Sequence, residues 1–264
     1  MIVAENWEVV FDALALAPSG LFTDIDGTIS PVAPTPNEAR VDPEAAELLG
    51  VLCKRLSVVA AITGRGTEYA RDMVGVPSLV YSGNHGLEEI LDGAVALIPE
   101  VRPYAGRLAQ IFAETRPCVT TTDVLWEDKG VTGTVHYRQA PDPEAAHAEL
   151  IRVLRPVAER HGFRLYEGRM IIELRPEIEL GKGAAVRRLI QRHGLRGCVF
   201  IGDDVTDVDA FRVLREMRDA SQVVAVCVGV TSAETPPAVL EMADVTVPGV
   251  PGVIELLNWL ERNL

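Results

Sequence analysis

The chain has 264 residues, of which 48% are hydrophobic, so it can bury the core of one large domain or of two modest ones. Asp and Glu (38) outnumber Lys and Arg (25), and the formal charge of −13 argues against a nucleic-acid partner, because phosphate backbones are bound by clustered basic residues. The first residues contain no basic segment before an apolar one, and no uncharged apolar run reaches about 18 residues. We therefore expect a cytoplasmic protein with no membrane partner.

Helical and extended segments alternate through the first part of the chain. Apolar residues at helical spacing predict helices, and short apolar runs predict buried strands. Strands that are separated by helices indicate a parallel sheet with right-handed crossovers. The expected order is helix 6–17, strand 20–23, helix 43–55, strand 57–62, a helix that ends near 73, and strand 78–81.

The middle of the chain changes to an α-β-β-α-β-β order after a predicted turn at 91–93. Such a repeated unit is typical of an α+β module with its own sheet. We expect this module at 100–176, inserted into a core formed by 1–99 and 177–264. Its predicted elements are helix 103–115, runs 118–127 and 131–138, helix 143–161, and runs 163–167 and 170–174.

The first pattern then resumes and completes the core. The predicted fold class is therefore α/β, a Rossmann-like, doubly wound parallel sheet with an inserted α+β domain. The remaining elements are helix 182–193, strand 197–201, helix 209–218, strands 223–228 and 245–247, and helix 253–262.

Two carboxylates, Asp24 and Asp26, follow the first buried strand. Residues two apart on an extended chain point the same way, and open α/β sheets bind ligands at the carboxyl ends of their strands. The pair suits a metal ion, or a nucleophile beside a general acid. A calcium loop does not fit, because Ile29 stands where that loop requires glycine. Taken alone, the pair is also compatible with a solvated turn.

Three further polar features follow later strands or open a helix. Thr63 offers a hydroxyl to a phosphoryl oxygen, and Lys182 lies between two glycines at a helix start, where anions bind. The cluster of Asp203, Asp204 and Asp207 favours a hard cation, with Mg²⁺ the first candidate. Each feature has an ordinary alternative: a turn, a solvated lysine and an acidic surface loop.

The four motifs together resemble the haloacid dehalogenase superfamily. Its phosphatases carry Asp-x-Asp-Gly-Thr, then Ser or Thr, then Lys, then an acidic Gly-Asp-Asp cluster, and the insertion at 100–176 is similar to its α/β cap. The resemblance covers the whole chain, with small departures at Thr63, where Ser is common, and at Val208, where another acid is usual. Further stretches resemble the trehalose-6-phosphate phosphatase family, namely 81–88, 127–130, 135–138, and 173–176 before 181–183.

This resemblance implies hydrolysis of trehalose 6-phosphate to trehalose and phosphate through an aspartyl-phosphate. Asp24 would attack phosphorus, while Asp26 would protonate the leaving hydroxyl and then activate water. The implied cofactor is Mg²⁺, held by Asp24, the backbone carbonyl of Asp26, and Asp203. Asp204 and Asp207 would support these ligands without binding the metal themselves.

Phosphate and sugar would be bound by different parts of the chain. Thr63 and Lys182 would hold the phosphoryl oxygens, whereas a disaccharide ringed with hydroxyls needs polar partners of its own. For His85 a loop-stabilising role remains an equal alternative. Closure of the module over the core, with hinges near 98–103 and 175–181, would exclude water. The expected substrate-binding residues are Arg65, Asn84, His85, Glu127, Lys129 and Glu173.

The expected partner is a small sugar phosphate, with either no protein partner or a trehalose-phosphate synthase. A phosphatase for sucrose phosphate or a glycosyl-3-phosphoglycerate would share every core residue and differ only in the cap. A phospho-receiver module and a catalytically silent sugar-phosphate-binding protein are the non-enzymatic alternatives. Detectable turnover would separate an enzyme from these last two.

Overall fold

Strands and helices alternate along the chain in a computed structural model that describes residues 7–33, 38–91, 93–168, 170–178 and 181–264. The helices are α1 (Trp7–Ala15), α2 (Pro43–Leu52), α3 (Thr67–Val74), α4 (Arg107–Thr115), α5 (Pro143–Arg160), α6 (Lys182–His193), α7 (Val205–Asp219), α8 (Pro237–Met242) and α9 (Gly249–Asn263). The strands are β1 (Ser19–Thr23), β2 (Val58–Ile62), β3 (Val80–Gly83), β4 (Glu88–Leu91), β5 (Ala94–Leu97), β6 (Leu125–Asp128), β7 (Gly133–His136), β8 (Phe163–Gly168), β9 (Ile171–Pro176), β10 (Gly197–Gly202), β11 (Val224–Thr231) and β12 (Val245–Pro248).

The chain divides into two compact units, Met1–Ala96 with Leu180–Leu264, and Leu97–Glu179. The first unit contains an eight-stranded sheet in the order β12-β11-β10-β1-β2-β3-β4-β5. Strands β12 to β3 are parallel to their neighbours, and β4 is antiparallel to β3. Because β1 lies between β10 and β2, the carboxyl ends of these three strands meet at one edge, where α/β sheets bind ligands.

Helices cover both faces of this sheet, so its central strands are apolar on both sides. Leu21 of β1 packs into the core cluster with α1, α2 and α9, while its neighbour Phe22 packs into the cluster with α6 and α7. The same alternation places Val199 and Phe200 of β10 in opposite clusters. This architecture confirms the predicted doubly wound α/β fold.

The second unit contains a four-stranded antiparallel sheet in the order β6-β7-β9-β8. Val135, Ile172 and Leu174 project from one face of this sheet into a core shared with Leu108 and Phe112 of α4. Helix α5 begins after Asp142 and Leu150 of this helix joins the same core. The element order is the α-β-β-α-β-β order predicted from the sequence.

Several elements differ from the sequence prediction. The run 118–127 becomes a strand only at Leu125, because the backbone N–H groups of Thr120 and Thr121 donate to the Glu149 carboxylate instead of to a strand. The strands β4 and β5, which lie on either side of the predicted turn, were not predicted and extend the large sheet. Helix α7 begins four residues earlier than predicted, and the short helix α8 is unpredicted.

The predicted helix start at residue 6, and parts of the predicted turn at 91–93 and hinge at 175–181, lie outside the described residues. Among the helices that the structure describes, none combines the length and the apolar character that crossing a bilayer requires.

Candidate active site

Asp24 is placed by the pairing of the two central strands. Its backbone N–H donates to the carbonyl of Ile201 (2.9 Å), which continues the parallel ladder of β1 and β10 beyond Thr23. The acidic end of β10 therefore lies beside the acidic end of β1. Gly27 then turns the chain at φ +81°, and a Cβ there would overlap the carboxylate of Asp203. The glycine of this motif is thus needed for the close approach of the two strand ends.

A buried lysine joins the carboxylates of these two strand ends. Lys182 Nζ lies 2.8 Å from Asp24 Oδ1 and 2.7 Å from Asp207 Oδ1, and the three side chains are almost fully buried. Burial raises the pKa of Asp24, and the Lys182 ammonium opposes that rise. Burial alone would lower the pKa of Lys182, but Asp24 and Asp207 outweigh it and raise the pKa. The Lys182 ammonium therefore lies between the carboxyl groups of Asp24 and Asp207.

Asp207 holds neighbouring groups of this cluster in place through hydrogen bonds. Its Oδ2 accepts hydrogen bonds from the backbone N–H groups of Asp203 and Asp204, each 3.0 Å long, across the first turn of α7. Its Oδ1 accepts from Lys182. Both oxygens are thus engaged, which fixes Lys182 and the loop that carries Asp203.

The remaining carboxylate, Asp203, is half-buried beside β1. Its Oδ1 accepts a hydrogen bond from the Thr28 hydroxyl (3.0 Å). Burial, together with the charge of Asp207, raises the pKa of Asp203 to about 6, while the hydrogen bond from Thr28 opposes this shift. Thr28 was not assigned a role from the sequence, although it belongs to the Asp-x-Asp-Gly-Thr motif.

Three carboxylates could hold a cation here. One oxygen each of Asp24, Asp203 and Asp207 lie within 4.8 Å of one another. Oxygens on opposite sides of an octahedral Mg²⁺ are about 4.2 Å apart, so small side-chain shifts would complete such a geometry. Because both Asp207 oxygens already accept hydrogen bonds, Asp24 and Asp203 are the better ligands. The donor set therefore fits Mg²⁺, and the backbone carbonyl of Asp26 stays a predicted ligand.

Asp26 is bound by an arginine that the sequence assigned to substrate. Arg65 Nε donates to Asp26 Oδ2 and Arg65 Nη2 to Asp26 Oδ1, both at 2.6 Å, in a bidentate pair. The Asp26 side chain is 37% exposed. The hydrogen bond to Asp26 raises the pKa of Arg65. Arg65 occupies one lone pair on each Asp26 oxygen, and each oxygen keeps a second lone pair for a proton or a further donor.

The loops after β2 and β3 bring further predicted residues to the site. Thr63 is buried, and its Oγ1 accepts the Arg65 backbone N–H (3.2 Å). Asn84 and His85 donate their backbone N–H groups to the carbonyls of Arg65 (2.7 Å) and Thr63 (3.0 Å). The His85 ring packs directly over Gly64, since a Cβ on that glycine would lie 2.7 Å from His85 Cε1.

Part of this set of side chains lines an open pocket of about 450 Å³ in the first unit; Asn84, Asp203 and Asp207 are not in its lining. It brings together seven residues that the sequence singled out, of which Asp204 is the one expected to support the metal ligands. Lys182 and Thr63 face the same space, as an anion site requires. The seven are Asp24, Asp26, Thr63, Arg65, His85, Lys182 and Asp204.

Two of the predicted sugar-binding residues of the second unit, Glu127 and Glu173, lie on its sheet, and Lys129 directly follows β6. Glu127 is paired in register with Thr134, which in turn is paired with Glu173, so the two glutamates share one face. Glu127 Oε2 lies 3.1 Å from His136 Nε2 and 3.6 Å from Lys129 Nζ. Glu173 pairs with Arg175. No role was assigned to His136 from the sequence. The alternation of residues along a strand does not distinguish this histidine from the other residues on the exposed face of the sheet.

The sequence matches a known family over most of its length. A family model described as trehalose-phosphatase matches residues 22–238. A probable trehalose-phosphate phosphatase from Sinorhizobium fredii is 34% identical over 203 residues, which cover 75% of this chain and 74% of that protein. The chain belongs to the trehalose-phosphatase family. The match confirms the family resemblance of the sequence motifs.

Two further relatives show how this chain compares in length and in fold. A trehalose-phosphate phosphatase from Mycobacterium bovis is 31% identical over 216 residues, which cover 77% of this chain but 53% of that protein. The chain thus spans about half the length of this relative. The solved trehalose-6-phosphate phosphatase of Aspergillus fumigatus shares its fold, with a TM-score of 0.75, 23% identity and 99% of each chain covered.

Proposed function

We propose that this chain is a Mg²⁺-dependent phosphatase that hydrolyses trehalose 6-phosphate to trehalose and phosphate, with Asp24 as the nucleophile. The observation that carries the proposal is the buried contact of Asp24 with Lys182, 2.8 Å long, in a pocket that also holds Thr63 and Asp26. Family membership supports the substrate, because the relatives are named for trehalose phosphate.

The chemistry follows from the charges in this pocket. The Asp24 carboxylate attacks phosphorus, the bond to the sugar oxygen breaks, and an aspartyl-phosphate forms. Lys182 donates to an equatorial phosphoryl oxygen, and so does the Thr63 hydroxyl, which stabilises the charge of the transition state. A Mg²⁺ ion held by Asp24 and Asp203 would offset the repulsion between carboxylate and phosphate.

Proton transfer is the task proposed for Asp26. It gives a proton to the departing sugar oxygen and then takes one from the water that hydrolyses the aspartyl-phosphate. Arg65 donates to both Asp26 oxygens at 2.6 Å, so it competes for them with the sugar oxygen and the water. We propose that the substrate phosphate draws the guanidinium toward itself, which leaves one Asp26 oxygen free to act.

Recognition of the sugar is proposed for the second unit. Glu127 and Glu173 lie on one sheet face across two strand spacings, about 10 Å. That separation suits hydroxyls on the two rings of a disaccharide better than those of one ring. Carboxylates that a bound sugar covers discriminate strongly against sugars that leave them unpaired.

The test is phosphate release from trehalose 6-phosphate and from sucrose, glucose and glycosyl-glycerate phosphates, with Mg²⁺ and with chelator. Asp24→Asn, which keeps the shape of the side chain, is the matched control for contaminating phosphatases. We expect metal-dependent turnover with a strong preference for trehalose 6-phosphate, and none from Asp24→Asn. Preference for another sugar would overturn the substrate, and equal turnover by Asp24→Asn would overturn the nucleophile.

A further inference from the structure

The three residues after β3 have a conformation that needs support from their surroundings. Asn84, His85 and Gly86 have φ of 49°, 57° and 86°, all in the left-handed region. For residues with a side chain this region is costly, and it persists only where neighbouring groups hold the backbone in place. Two such residues in succession, directly at a pocket, indicate a constrained functional segment.

Neighbouring elements hold this segment from two sides. On one side its backbone donates to the loop after β2, as described above. On the other side, Gly181 donates its N–H to the carbonyl of His85 (3.1 Å), and Arg188 Nη2 donates to the carbonyl of Gly86 (2.9 Å). The segment is therefore fastened to α6, the helix whose first residue is Lys182.

Arg188 is itself fixed by a buried acid. Its Nε donates to Glu89 Oε1 (2.8 Å), and Arg192 Nη1 donates to Glu89 Oε2 (2.6 Å). The Glu89 side chain is 1% exposed, so its charge must be paired inside the protein. The guanidinium of Arg188 thus binds a carboxylate and a carbonyl at once, which a lysine ammonium cannot do in the same geometry.

We propose that Arg188, held by Glu89, is a positioning residue that keeps the His85 ring in the pocket beside Lys182. This inference rests on the proposed function and on the prediction from the sequence that His85 binds the substrate. The side chain of Arg188 does not line the pocket among the described residues, so it acts through the backbone of Gly86 and His85. Loss of the Gly86 contact would release the strained segment and move the ring.

The first test compares Arg188→Lys with Arg187→Lys. Arg187 is the neighbour on the same helix and pairs with Glu216 (3.0 Å) at the surface, so it is a matched control. Arg188→Lys keeps a cation beside Glu89, which favours folding. We expect kcat/KM for trehalose 6-phosphate to fall about tenfold in Arg188→Lys, with little change in Arg187→Lys. Equal values for the two variants would overturn the proposal.

A double-mutant cycle separates positioning from general damage. His85→Asn removes the ring but suits the left-handed backbone, since Asn adopts that region readily. If Arg188 acts through His85, then Arg188→Lys should lower kcat/KM no further in the His85→Asn background. An additive loss would refute the positioning role.

A third measurement does not require turnover. Amide hydrogen exchange at residues 84–87 should be faster in Arg188→Lys and in Glu89→Gln than in wild type or in Arg187→Lys. Unchanged exchange would overturn the proposal even if the wild-type protein hydrolysed none of the sugar phosphates. Absence of wild-type turnover would refute the proposed function alone, so the two failures are distinguishable.

Discussion

Replacement of Lys182 with Met removes the positive charge at the centre of the candidate active site. Lys182 is 2% exposed, and its ammonium lies 2.8 Å from Asp24 and 2.7 Å from Asp207. Met has a similar length and fills the same space, so the change tests charge rather than packing. It leaves two buried carboxylates without their cation.

The magnitude follows from the burial of the three groups. Removal of one partner from a buried ion pair costs about 3–5 kcal/mol. Asp207 keeps its two backbone N–H donors, which favours the lower end of this range. For a chain of this size each kcal/mol shifts Tm by about 2–4 °C, so Lys182→Met should lower Tm by roughly 6–12 °C.

Thermal and urea unfolding would be followed in chelator and again in excess Mg²⁺. The control is Lys129→Met, because that lysine is 43% exposed and its pair with Glu127 is long, so its loss should cost about 1 kcal/mol or less. A cation bound to the freed carboxylates should reduce the loss in Lys182→Met. If Lys182→Met in chelator has the same Tm and the same urea midpoint as wild type, the charge balance described above is refuted.

Three further predictions concern other charged groups. Arg65→Lys should lower kcat/KM for a sugar phosphate, because the guanidinium holds both oxygens of Asp26 and, in the proposed mechanism, moves to the substrate phosphate; an unchanged kcat/KM would exclude both roles. Glu127→Ala should reduce turnover of trehalose 6-phosphate far more than that of a small aryl phosphate, and an equal loss on both would exclude a sugar contact. Hydrogen bonds from Thr121 and Thr120 lower the pKa of Glu149 from 4.5 to about 2, so this carboxylate stabilises the fold above pH 4.5 and ceases to do so as pH falls toward 2. Glu149→Gln should therefore flatten the acid dependence of hydrogen exchange at 119–124, and a slope unchanged from wild type would contradict this.

The parallel sheet and its ligand-binding edge were predictable because apolar runs and strand-end polar residues are local features. Asp24, Thr63 and Lys182 were each found next to a predicted strand or helix end, and parallel topology brings such ends together. The structure places all three at one pocket. Their chemical roles remain predictions.

The pairings inside the site could not be predicted in this way. Asp26 and Arg65 are 39 residues apart, and Glu89 and Arg188 are 99 apart, so no local pattern joins them. Glu149 likewise accepts backbone hydrogen bonds from a segment that was predicted to be a strand, although 28 residues separate it from Thr121 in the sequence. Long-range side-chain partners of this kind override local propensity.

The covalent step at Asp24 is the central claim of the proposed mechanism. Turnover of trehalose 6-phosphate in Mg²⁺ would be stopped in acid within milliseconds and treated with borohydride, which reduces an acyl phosphate to an alcohol. Peptide mass spectrometry would then locate the product. We expect homoserine in place of aspartate at position 24, and none in Asp24→Asn. Reduction at Asp26 or at another carboxylate, or no reduction in an enzyme that is turning over, would contradict the proposed mechanism.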